Sequence, residues 1–222
     1  MAFDQRAAGR WVGGLMLLQL VAGAMTMLVL TAPLFTGDGY LAVAGTLQSR
    51  LGLSILLTLA GTVVAIAIAI LMFTSLRSHG PALALGLLML TAVGAALSAV
   101  EQGGILAMTQ FSSAYLEAEA AARASFENLR AAGSLLRNGM HYVGLIMHGM
   151  TLACLYSLLW RSAALPRVLP ALGLGAACLQ MYAIAQPILG GVVDFALLAP
   201  LGLAQLLNGG WLLARGFRPA AA

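Results

Sequence analysis

The chain has 222 residues, of which 61% are hydrophobic and only 8% charged, where a soluble domain carries roughly a quarter. So few charges cannot clothe a water-facing surface, and lipid must be the solvent for most of it. All eleven basic residues are arginine, scattered singly at the edges of apolar runs, so the net charge of +4 marks membrane topology and not a phosphate-tracking, nucleic-acid-binding surface.

A short polar lead with Asp4, Arg6 and Arg10 precedes the first apolar run, about 11–33. Val21-Ala22-Gly23-Ala24 resembles a signal-peptide cleavage site, but the run continues unbroken to Leu34, which favours an uncleaved first span. Gly37-Asp38-Gly39 signals a turn, and Tyr40 to Leu47 is apolar enough to lie along the interface. Arg50 precedes the second span, about 51–73, where Gly61, Ala65 and Ala69 repeat every four residues as a ridge for close helix packing. His79 falls in the charged turn after it, as a solvated loop residue.

The third span covers about 82–108, with Pro81 tolerated at its first turn and Glu101-Gln102-Gly103-Gly104 as either its end or a polar break within it. The segment 111–137 is the only extended charged region, and its alanines, glutamates and arginines favour helix. It reads as an exposed or interfacial helix on the outer side, with Glu119 and Arg123 spaced for an ion pair. The fourth span, about 138–160, carries His141 and His148, seven residues apart and so roughly on one face. The fifth covers about 166–187 and the sixth about 195–214, opened by Asp194 and closed by Arg215, Gly216, Arg218 and Pro219.

The expectation is therefore an all-α polytopic bundle, a single integral membrane domain over 1–222 with six transmembrane helices and an outer-side interfacial helix. Placing both termini inside puts seven arginines (Arg6, Arg10, Arg77, Arg161, Arg167, Arg215, Arg218) in the cytoplasm and four (Arg50, Arg123, Arg130, Arg137) outside. On this bias both termini are expected in the cytoplasm. Gly and Pro positions of the two halves do not match, which weighs against an inverted-repeat transporter.

The run Leu155-Tyr156-Ser157-Leu158-Leu159-Trp160-Arg161-Ser162-Ala163-Ala164-Leu165-Pro166-Arg167-Val168-Leu169 is similar to a signature of a widespread bacterial family of uncharacterised six-span integral membrane proteins, a domain of unknown function. The closing Trp211-Leu212-Leu213-Ala214-Arg215-Gly216 resembles that family's ending, and the likeness covers most of the chain. The resemblance implies six spans and brings no activity and no catalytic residues. Locally, Pro166, Arg161 and Arg167 pin a tight hairpin at headgroup level.

The sequence names no activity, and its candidates for a functional site are the polar groups at membrane depth. Glu101 arrives near the outer boundary, His141 starts there, and His148 lies about 10 Å deeper. Gln180 and Gln186 fall in the outer half of the fifth span and Asp194 opens the sixth, where it equally suits a helix cap. Each has a bland reading beside the functional one: a headgroup-level acid for Glu101, an interfacial ring for His141, a packing hydrogen bond for His148. Met140, Met147 and Met150 read as core fillers, and Cys154 and Cys178 as thiols inside apolar spans.

The first functional class is a binding or transport protein for a small apolar or amphipathic molecule, with Glu101, His141, His148, Gln180, Gln186 and Asp194 as candidate ligand contacts. The second is a haem or metal protein. His141 and His148 are too far apart to share one ion, a zinc site would join His141 to Glu101 or Asp194 and an unnamed third ligand, and haem would use His148 alone or with a methionine. The third is a structural or assembly protein acting through partner helices. The lack of lysine excludes a Schiff-base cofactor, and no familiar hydrolase or protease signature is present. Expected partners are membrane lipids, a small hydrophobic ligand and further copies of the chain, not nucleic acid.

Overall fold

The computed structural model describes residues 4–35 and 39–218, so the Gly37-Asp38 portion of the first turn and the Pro219 stop lie outside the described residues. The helices are α1 (Gln5–Ala24), α2 (Tyr40–Val43), α3 (Gln48–Leu76), α4 (Pro81–Glu117), α5 (Ala120–Ser162), α6 (Val168–Ile188) and α7 (Ala199–Arg215). Among the described residues, six helices are long and apolar enough to cross a membrane, all of these but α2. The protein is an all-α, multi-pass membrane protein.

The spans run past their sequence-predicted ends. α4 has 37 residues and α5 has 43, which is about 55 and 65 Å of helix against a hydrocarbon core of about 30 Å. The stretch 111–137 is helical as expected, but it is not a separate element. It is shared between the end of α4 and the start of α5, with the break at Ala118–Glu119. The polar tetrad at 101–104 does not interrupt α4 either, because the Glu101 carboxylate finds partners on α5 and the helix need not end to place it in water.

The described residues group into two compact units. The first comprises α1 up to Val21, Val63–Ala95, and the chain from Tyr142 onward. Its core is built from Val12, Met72, Leu87, Tyr156, Leu158, Leu159, Leu212 and Phe217. One end gathers the arginines. Gly216 closes α7 with a left-handed φ of 67° and its N–H donates to the Leu212 carbonyl. A Cβ there would run into the Arg6 backbone, so two physical demands select glycine. The Arg218 N–H then donates to the Ala164 carbonyl at 3.0 Å, tying the end of the chain to the turn between α5 and α6.

The second unit comprises Ala22–Thr62 and Ala96–His141. α1 ends here in a π-helical turn, Met25–Leu30, and the Arg50 guanidinium donates to the Val29 carbonyl within it. In the Tyr40–Leu47 segment, Tyr40 and Leu41 are buried, so its apolar side packs against the protein. The buried Ser112 hydroxyl explains why. It accepts from the Gly45 N–H and donates to the Leu41 carbonyl, both at 2.7 Å, satisfying two backbone groups that would otherwise keep this loop in water.

Candidate functional site

Two polar constellations stand out, one in each unit. In the second unit, Glu101 on α4 is 3.1 Å from the Arg137 guanidinium and 2.9 Å from Nδ1 of His141, both on α5. Arg137 also lies over the Phe35 ring, 4.5 Å from its centroid, and donates to the Asn138 side-chain carbonyl at 3.3 Å. Antiparallel register makes this meeting possible: the Phe111–Phe126 ring pair at 4.9 Å and the Glu101–Arg137 pair belong to the same pairing of the two helices. Glu101 is thus a partly buried carboxylate held by cationic and hydrogen-bonding partners, 14% exposed at its side chain.

In the first unit, a cavity of about 50 Å³ lies among α1, α3, α4, α5 and α7. Its polar lining is Gln19, Thr91, His148, Thr151 and Gln205, and Met16, Ile68 and Leu87 are among its apolar walls. Ala65 and Ala69 of the small-residue ridge also line it, and Ala69 is packed in the core of the unit as well. His148 is exposed, which opens the cavity to the surface of the unit.

The depth of the cavity follows from the sequence. Gln19 is nine residues from Arg10, Thr91 ten from Pro81, Thr151 ten and His148 thirteen from Arg161, and Gln205 ten from Arg215. At 1.5 Å per residue all five lie about 13–20 Å from the arginine-marked end, near the middle of a hydrocarbon core of about 30 Å.

Hydrogen bonding sets what the lining offers. The Thr91 hydroxyl donates to the Leu87 carbonyl at 2.7 Å and the Thr151 hydroxyl to the Met147 carbonyl at 2.9 Å, so both present acceptor lone pairs. Gln180, buried on α6, donates from Nε2 to the Leu145 carbonyl at 2.9 Å and lies 3.4 Å from Nδ1 of His148. No lining residue is ionised at neutral pH apart from any protonation of His148.

Of the sequence-predicted residues, Glu101 and His141 meet in one unit, while His148 and Gln180 meet in the other. Gln186 is used through its backbone, its carbonyl accepting from the Gly191 N–H at 2.8 Å. Asp194 is exposed and caps the turn at Phe195–Leu198, accepting from the Ala196 N–H at 3.0 Å. Among the described residues no three histidines, cysteines, aspartates or glutamates come together as metal ligands. Gln19, Thr91, Thr151 and Gln205 were not singled out from the sequence, although their equal distance from the arginine-marked end was a usable signal.

Residues 11–216 match the profile of a family described as a domain of unknown function (DUF4386). The chain belongs to that family. The DUF4386 match takes in α1 from Trp11 and the other five long helices whole, and so both polar constellations. No curated protein and no solved structure matches the chain.

Proposed function

We propose that this DUF4386 protein binds a small amphipathic molecule from the bilayer, as a carrier or transporter, with a neutral polar head entering the cavity beside His148 and an apolar tail lying in lipid. The observation that carries this is five polar, mostly uncharged side chains converging at mid-membrane depth on a space walled by apolar residues. Lipid-facing protein does not retain such groups without use, because each must be satisfied in hydrocarbon. The size sets the ligand class: about 50 Å³ admits a head or a few waters, whereas pockets that enclose a drug-sized ligand run about 300–1,000 Å³. That volume also counts against haem at His148.

His148 is the direct contact in this reading, Gln180 supports it, and Glu101 and His141 stabilise the helix pair that carries them. Gln186 and Asp194 are assigned backbone and capping roles. The arginine bias favours both termini in the cytoplasm, and the resemblance to a bacterial family favours an inner membrane.

The test is mass spectrometry of co-purified small molecules on wild type and a His148→Leu variant, both reconstituted and both folded by circular dichroism. Loss of a neutral amphipathic species from the variant supports the reading. The same species at the same occupancy in both proteins removes it.

A further inference from the structure

The imidazole of His148 lines the cavity, and the residue that contacts its Nδ1 lies outside the lining. Gln180 is buried on α6 and its Nε2 amide reaches two groups, the Leu145 carbonyl at 2.9 Å and Nδ1 of His148 at 3.4 Å. A carbonyl can only accept, so the Leu145 oxygen fixes which end of the Gln180 side chain carries the NH₂. Turning the amide over would set two oxygens against each other. With its orientation fixed, the second amide proton faces Nδ1, which must then be unprotonated. A neutral imidazole carries one proton, and it is left on Nε2.

We infer that Gln180 locks His148 as the neutral Nε2–H tautomer, so that the cavity recognises a neutral head bearing an acceptor oxygen, a ketone or ester carbonyl above all. This deepens the proposed binding function and rests on it for the ligand class, though the tautomer assignment does not. The remaining lining agrees with the choice. Thr91 and Thr151 direct their protons to helix carbonyls and leave acceptors facing the space, which repel a bare anion. No arginine lines the cavity to neutralise a phosphate or carboxylate, and no acid lines it to hold an amine. Gln180 is a positioning residue. It does not line the cavity, and its effect on the ligand passes through the imidazole.

The experiment uses the full chain with ¹⁵N-labelled histidine in neutral-lipid nanodiscs, the His148 ring assigned by its loss in His148→Asn. At neutral pH the expected spectrum is the Nε2–H tautomer in wild type, a mixture in Gln180→Leu, and a proton on Nδ1 in Gln180→Glu, whose carboxylate accepts it. An Nδ1–H or doubly protonated ring in wild type, or a ring indifferent to Gln180→Leu, overturns the tautomer assignment. A long-chain methyl ketone is then titrated against the matching alkane. The ketone should shift the Nε2 resonance and the alkane should not, with binding about threefold to tenfold weaker in Gln180→Glu, the range of one intramembrane hydrogen bond. A correct tautomer with no ketone response overturns the ligand class and the proposed binding function, and leaves the Gln180 assignment standing.

Discussion

Glu101 and Arg137 meet at 3.1 Å across the antiparallel α4–α5 pair, their side chains only 14% and 11% exposed. Thirty-six residues separate them in sequence, and the Ala118–Glu119 break brings them together by folding one long helical segment back on the other. Removing the arginine leaves a poorly hydrated carboxylate, whereas neutralising both partners leaves no stranded charge. Arg137→Leu is expected to lower stability by roughly 2–4 kcal/mol, and Glu101→Gln in the same chain to restore much of it. Thermal unfolding of both variants in detergent checks this. A double variant as unstable as the single one would show that Arg137 acts through its stacking on Phe35.

Ser112 holds the Tyr40–Leu47 segment by two hydrogen bonds to its backbone. Ser112→Ala leaves the part-buried Gly45 N–H and the Leu41 carbonyl without this partner, at a cost of about 1–3 kcal/mol. Amide exchange of residues 40–47 should quicken in this variant while that of α6 and α7 stays as in wild type. Unchanged exchange in 40–47 would mean that apolar packing of Tyr40 and Leu41 suffices to hold the segment.

Gly13 and Gly14 are neighbours with opposite prospects. A Cβ on Gly13 would come within 2.6 Å of the Gly209 carbonyl oxygen and 2.8 Å of the Leu212 backbone, whereas on Gly14 it would meet a Leu213 methyl at 3.6 Å. Replacing a helical glycine by alanine otherwise favours the helix by about 1 kcal/mol. Gly13→Ala should therefore lower the melting temperature, by an overpacking cost of roughly 1–3 kcal/mol, and Gly14→Ala should keep or raise it. Equal melting temperatures for the two would contradict the close approach of α1 and α7.

Burial pushes the Tyr40 phenol above its ordinary value of 10.0, with Arg130 opposing that rise and Glu127 adding to it. The folded state then holds this proton more tightly than the unfolded chain. The sign follows: the stability is fully present below about pH 10 and is lost as pH rises through the folded value. Tyr40→Phe should flatten the alkaline fall in stability measured by chemical denaturation above that pH. An identical fall in wild type and variant would assign it to other groups.

The orientation is testable in a background with Cys154 and Cys178 changed to alanine. A membrane-impermeant maleimide on intact cells should label Ala121→Cys directly and Ser162→Cys only after permeabilisation. The opposite pattern would invert the topology and place the arginine-rich end outside.

The sequence by itself determined the class of the protein and the number of its spans. Apolar runs of spanning length and single arginines at their edges are one-dimensional signals, because lipid imposes a length and a polarity that each helix must meet alone. It also pointed to Glu101, His141, His148, Gln180, Gln186 and Asp194 as polar groups gathered in the outer half of the bundle. The partners themselves were not legible, since they depend on helix rotation and register that run-length does not encode. Only the tertiary structure decided that Glu101 pairs with Arg137 and His141, that Gln180 pairs with His148, and that Gln19, Thr91 and Gln205 from three other helices join Thr151 and His148 of α5 around one cavity. It also decided that 111–137 is two helix ends and that Tyr40 and Leu41 turn inward, where one buried serine, Ser112, satisfies two backbone groups of the loop.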